Sequence, residues 1–292
     1  MDFSKCVVYE GEAALLEVKK NGLMLKYVRK QTPEICDAAI QQNYTALQFV
    51  IDQTPEVCMK AVQRNWSALQ HVRVQTPDMC MEAVRQFWES MTCIREQTPE
   101  ICLFAVQKNW RALPYVLVQT TEICMEAVRQ SWRALPYVHV QTPEICMEAV
   151  RQSYEALPYV QDPTFEMYEL GLQQSWSAIQ YVRKQTPELC LIAVTKDGVA
   201  LQYIINQTPE ECMIAVNQNG IFLQYVRKQT PEICDAAVRQ NKNAIQYVDP
   251  TCFPPVNPPG MPGAPSDPRT LDIAAMSKEE KMQLVQKLLD SI

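Results

Sequence analysis

Nine cysteines of the 292-residue chain share one slot: Cys36, Cys58, Cys80, Cys102, Cys124, Cys146, Cys190, Cys212 and Cys234. A row of thiols suggests metal or redox chemistry. Copies one stacking step apart would exceed the roughly 7 Å Cα limit for a disulfide, and the 22-residue spacing supplies no CxxC ligand pair. These cysteines are therefore expected as small, buried core residues. Two aromatic slots recur on the same period. One holds Trp66, Trp88, Trp110, Trp132 and Trp176, and the other Tyr115, Tyr137, Tyr159, Tyr181, Tyr203, Tyr225 and Tyr247. Such rings could stack on bases, but no basic groove accompanies them, so ladders packing successive repeats are expected. Only two histidines are present, His71 and His139. No nucleophile elbow, phosphate loop or dinucleotide fingerprint occurs. The glutamates that recur beside helix starts are explained by dipole complementarity. The expectation is a protein with no catalytic residue, no metal and no cofactor, which works by binding.

The elements behind these slots come from one repeat. Gln-Thr-Pro-Glu or a close variant starts at residues 31, 53, 75, 97, 119, 141, 185, 207 and 229, with Pro163-Thr164-Phe165-Glu166 filling the gap in register. The segment from Tyr9 also fits, so eleven units run from about 9 to 250. Threonine can cap a helix, proline suits its first position, and glutamate faces the positive end of its dipole. Ile35, Ala39 and Ile40 then give a helical apolar stripe. Asn43 and its equivalents end that helix or cap the next, and a shorter helix carries Ala46, Leu47 and Val50. A leucine-rich repeat, with a strand at the second element, has a similar period. Pro114, Pro136 and Pro158 in one slot of three successive units would delete consecutive ladder bonds of a parallel sheet, which favours helices. No single hairpin buries its own apolar face, so the fold class expected is all-α: an elongated α-solenoid of eleven 22-residue helical hairpins stabilised by stacking.

A net charge of -6, with both signs interspersed, makes nucleic acid an unlikely partner. No apolar run is long enough to span a bilayer, and the first residues lack the pattern of a signal peptide. A reducing intracellular environment is expected for so many unpaired cysteines.

Departures from the consensus mark positions that the stack does not dictate. The bend after the second helix is Arg29-Lys30 or Arg183-Lys184 in some units, but Leu117-Val118 and His139-Val140 in two others. These four residues either form a docking patch or pack between units. Beyond 250 the repeat gives way to a proline-rich tether at 251–270 and then 271–292, where Ser277 to Glu280 read as a capping box. Met282, Val285, Leu288, Leu289 and Ile292 lie on one face of that amphipathic helix, which is expected to dock in a partner groove, in cis or in trans.

The units QTPEICMEAVRQSWRALPYV and QTPEICDAAVRQNKNAIQYV resemble a repeat family of unknown function common in large DNA viruses of algae and protists and in some bacteria. The resemblance covers about 9–250, departs at 161–168, where the degenerate copy is expected to bend the stack, and excludes the tail. It implies a structural protein: a minor capsid or other virion component, assembled in the host cytoplasm, bridging neighbouring capsid or virion proteins. The alternative is a soluble adaptor that binds a host protein.

Overall fold

The structure, a computed structural model, describes residues 9–252. Among these the chain is an all-α solenoid of helical hairpins. Eleven ten-residue α-helices alternate with eleven six-residue 3-10 helices, from Gly11–Lys20 and Gly22–Tyr27 to Pro231–Gln240 and Lys242–Tyr247, followed by a 3-10 turn at Pro250–Cys252. The hairpins are numbered 1 to 11 in chain order. The only bridge described is an isolated one between Tyr9 and Val28, so the leucine-rich alternative fails for these residues. The chain groups into two compact units that meet in sequence between Gln152 and Ser153. Hairpins 1–6 lie in the first unit and hairpins 8–11 in the second.

Each α-helix starts where the sequence places it. Thr32 accepts from the Ile35 amide at 3.4 Å, Thr54 from Val57 at 3.4 Å and Thr186 from Leu189 at 3.5 Å, with proline at the first position of these helices. Asn43 both ends one helix and starts the next. Its N–H donates to the Ala39 carbonyl at 2.8 Å, and its side chain accepts from the Thr45 amide at 2.9 Å. Ile35, Cys36, Ala39 and Ile40 of the first helix and Ala46, Leu47 and Val50 of the second segment are buried. The second helix is 3-10 in every hairpin, a form the apolar spacing did not distinguish from α. Its short length explains why Pro114, Pro136 and Pro158 are tolerated there: few backbone bonds exist to be lost.

Short helices end often, and every end leaves backbone groups without a helical partner. Two glutamine slots supply many of the missing partners. Gln53 Nε2 donates to the carbonyls of Leu47 and His71, both at 3.0 Å, joining the second helices of hairpins 2 and 3. Its Oε1 accepts from the Arg73 amide at 2.8 Å and from the Cys58 thiol at 3.8 Å, so all four bonding positions of the amide are used. The second slot works between α-helix ends. Gln130 Nε2 donates to Val106 O at 2.7 Å while its Oε1 accepts from the Trp110 amide at 3.0 Å. In the sequence the first glutamine reads only as the start of the motif, and neither slot's bridging role is visible.

Hairpin 8 shows what happens when the first glutamine is missing. Pro163 occupies its place and Tyr168 replaces the cysteine. The Tyr168 hydroxyl accepts from the Arg183 amide at 3.4 Å, the bond that glutamine Oε1 makes elsewhere. Gly171 stands in the usual alanine slot, where an added Cβ would come within 2.7 Å of Leu157 Cδ1.

Replacing Gln75, which bonds Leu69 O, Cys93 O and the Arg95 amide, by alanine is expected to cost about 1–3 kcal/mol, read as a lower urea midpoint. Gln48→Ala, which removes one exposed contact to Thr45 O, should stay within about 0.5 kcal/mol of the parent. Ser90 is fully buried with no partner for its hydroxyl in a slot that is otherwise mostly alanine, so Ser90→Ala should raise the same midpoint.

Candidate functional site

The repeated thiols point into the core. All nine are buried, and eight of them donate weakly to the glutamine of their own hairpin, at 3.2 Å for Cys234 and 3.9 Å for Cys80. Burial raises Cys36, Cys58, Cys80, Cys102, Cys124, Cys190, Cys212 and Cys234 above the ordinary value of 9.0, to about 11 for Cys190 and Cys212. Cys234 is pushed to about 12, by burial first and by the neighbouring Cys252 thiol second. Buried, protonated thiols are poor nucleophiles and poor metal ligands. The core reading of the cysteine row fits this geometry.

The aromatic slots pair across neighbouring hairpins. Trp110 packs on Tyr137 at 6.3 Å between ring centroids, and Trp176 on Tyr203 at 6.0 Å. These are packing ladders, yet Tyr115 and Tyr137 keep over two fifths of their surface in solvent. Arg111 lies over the Trp110 ring at 5.0 Å and Arg133 over Trp132 at 4.7 Å.

The bends decide which surface is distinctive. Where the first bend residue is arginine, its guanidinium reaches back to the preceding bend: Arg73 to Ile51 O at 2.7 Å and Val50 O at 3.1 Å, Arg95 to Arg73 O at 2.8 Å, and Arg183 to Gln161 O at 2.7 Å. At hairpin 5 leucine takes that place and at hairpin 6 histidine does. Leu117 is 70% exposed, Val118 76% and Val140 76%, and His139 is exposed as well. Of the two readings of these residues, packing between units is overturned by their exposure. With Tyr115 and Tyr137, Leu117, Val118 and Val140 make an exposed, largely apolar strip at equivalent positions of two successive hairpins. Segments 109–119 and 131–141 carry Arg111 and Arg133 but no carboxylate.

Elsewhere the described surface offers less. A depression of about 560 Å³ lies between Pro209–Gln218 and Pro231–Gln240, but its Arg239 is paired with Asp235 on the same helix. Among the described residues no three His, Cys, Asp or Glu side chains are grouped to hold a metal, and no helix is long and apolar enough to cross a membrane. The tail residues Met282, Val285, Leu288, Leu289 and Ile292 lie outside the described residues.

The raised thiols make a pH prediction. Their contribution to stability is whole below about pH 9, where the unfolded thiols also keep their protons, and is lost as the pH rises through the folded values near 11–12. The urea midpoint should therefore fall across that window, and less steeply in a Cys190→Ala, Cys212→Ala, Cys234→Ala variant. At neutral pH a thiol-alkylating reagent should modify the half-buried Cys93 well before any of the nine. Comparison with family models, curated proteins and solved structures returns no match.

Proposed function

We propose that the chain is a non-enzymatic scaffold that binds a protein partner through the strip on hairpins 5 and 6. The observation that carries this reading is the exposure of Leu117, Val118 and Val140 beside Tyr115 and Tyr137, on a surface where several other bends hold a back-bonded arginine. Clustered exposed apolar side chains of this kind are normally covered in a working complex, and tyrosine and arginine are among the residues that dominate binding energy at interfaces. With two arginines and no carboxylate in these segments, the strip fits an apolar partner segment with acidic flanks.

The resemblance of the repeat to a viral family extends the proposal to a setting. There the chain is a minor virion component bridging neighbouring capsid proteins; a soluble adaptor for a host protein is the alternative. Abundance in purified particles, where the source is a virus, supports the first setting, and absence from them supports the second.

The strip itself is tested by Leu117→Asp with Val140→Asp, compared with Ile51→Asp, which places the same charge on an exposed apolar bend outside it. All three positions are surface sites, so thermal stability should change by no more than about 0.5 kcal/mol. Cross-linking of the tagged full chain in its native cell, read by mass spectrometry, should lose one partner in the strip variant and keep it in the control. An unchanged partner set in the strip variant would refute the reading.

A further inference from the structure

Hairpins 8–11 carry a feature that the first unit lacks. In each, the second helix ends in a glutamine–tyrosine pair: Gln180-Tyr181, Gln202-Tyr203, Gln224-Tyr225 and Gln246-Tyr247. The equivalent pairs of hairpins 1–6 are Lys26-Tyr27, Gln48-Phe49, Gln70-His71, Thr92-Cys93, Pro114-Tyr115 and Pro136-Tyr137. Tyr181 and Tyr203 are more than a third exposed, and Gln180, Gln224 and Gln246 are exposed. Tyr225, Tyr247 and Gln202 are half-buried, so the row offers solvent aromatic surface with amides beside it, most openly at hairpins 8 and 9. That combination suits a polyproline II segment, whose rings pack on aromatic rings and whose backbone carbonyls, unbonded within the helix, accept from side-chain donors.

The chain's own sequence supplies a candidate. Between 254 and 268 the sequence reads PPVNPPGMPGAPSDP, and Pro259, Pro262, Pro265 and Pro268 recur every third residue. A polyproline II helix has three residues per turn and rises about 3.1 Å per residue, so these prolines would line one edge at about 9.3 Å intervals. Packed helices stand about 8–10 Å apart, which sets the step between successive hairpins and hence between successive tyrosines. Four prolines and four glutamine–tyrosine pairs thus share one repeat length. The segment also departs from the right place. Cys252, the last described residue, has its thiol 3.4 Å from the Gln229 carbonyl, and the Gln229 side chain donates to the carbonyl of Tyr247 at 2.8 Å. The six residues 253–258 reach at most about 20 Å, enough to bring Pro259 onto the end of the row.

We infer that the proline-rich segment 259–268 docks in cis on the tyrosine row of hairpins 8–11, running back along the second unit with one proline per hairpin. The segment has a single charged residue, Asp267, so recognition rests on ring packing and amide donors and should be insensitive to salt. The surface is separate from the strip on hairpins 5 and 6, and either proposal can fail without the other.

The test is hydroxyl-radical footprinting of the full chain, with tyrosine oxidation read by mass spectrometry. The comparison variant carries Pro259→Ser, Pro262→Ser, Pro265→Ser and Pro268→Ser, substitutions outside the hairpins. Tyr181 and Tyr203 should be oxidised about threefold faster in the variant, as expected when a short tether at millimolar effective concentration keeps the segment seated most of the time. Tyr115 and Tyr137, exposed in the first unit, should be unchanged in both proteins, confirming an intact fold. Equal oxidation of Tyr181 and Tyr203 in the two proteins overturns the inference. Protection that weakens as the parent protein is diluted also overturns it, because the occupant would then be the segment of a second copy.

Discussion

Short helices must find partners for their ends, and this chain ends a helix about every eleven residues. A ten-residue α-helix and a six-residue 3-10 helix leave most of their terminal N–H and C=O groups outside any internal ladder. The glutamine amides bridge these ends between neighbouring hairpins, so the polar requirement and the apolar stripe are met by the same act of stacking. An isolated hairpin would lack both. This couples neighbours more tightly than burial alone, because a displaced neighbour leaves carbonyls unpaired as well as side chains exposed.

Hairpin 8 supports that view by exception. Proline in the glutamine position removes both the donors and the acceptor, and its ring cannot restore them. The tyrosine that replaces cysteine five residues later puts a hydroxyl near the Arg183 amide and fills space in the core. Glycine at 171 makes room for Leu157, whose Cδ1 lies 2.7 Å from where a Cβ would sit. The Pro163 and Tyr168 changes, which look like decay in the sequence, are linked in the structure: the tyrosine hydroxyl takes over the acceptor bond that the lost amide would make.

What was legible in the sequence follows the range of the interactions. Threonine, proline and glutamate act within one turn, so every intact α-helix start could be placed from the residues alone. The dual use of Asn43 was readable as an ambiguity, and the structure resolves it in favour of both roles. The 3-10 character was not readable, because Ala46, Leu47 and Val50 are compatible with either helix over so short a span. The glutamine bridges were not readable either. Gln53 reaches residues six before and eighteen after it, and only the stack brings those carbonyls together. For the surface, sequence marked Leu117, Val118, His139 and Val140 as irregular, but their exposure depends on which way the bend turns.

The division between constrained and free slots also locates function. Cysteine, alanine, valine and the first glutamine of the intact hairpins are committed to core or bridge, so their repetition reports only the stack. The bend residues and the ends of the 3-10 helices face water, and there a repeated residue needs another cause. Arginine at the bend has one, since it bonds the preceding bend; exposed leucine and valine at 117 and 118 have none inside the fold. The glutamine–tyrosine pairs are likewise partly committed, because Tyr203 packs on Trp176 while its outer face and the adjoining amide remain available. A solenoid presents such leftover surface at a fixed step. Whatever binds along it is selected by spacing as well as by chemistry, which a single pocket in a globular domain does not require.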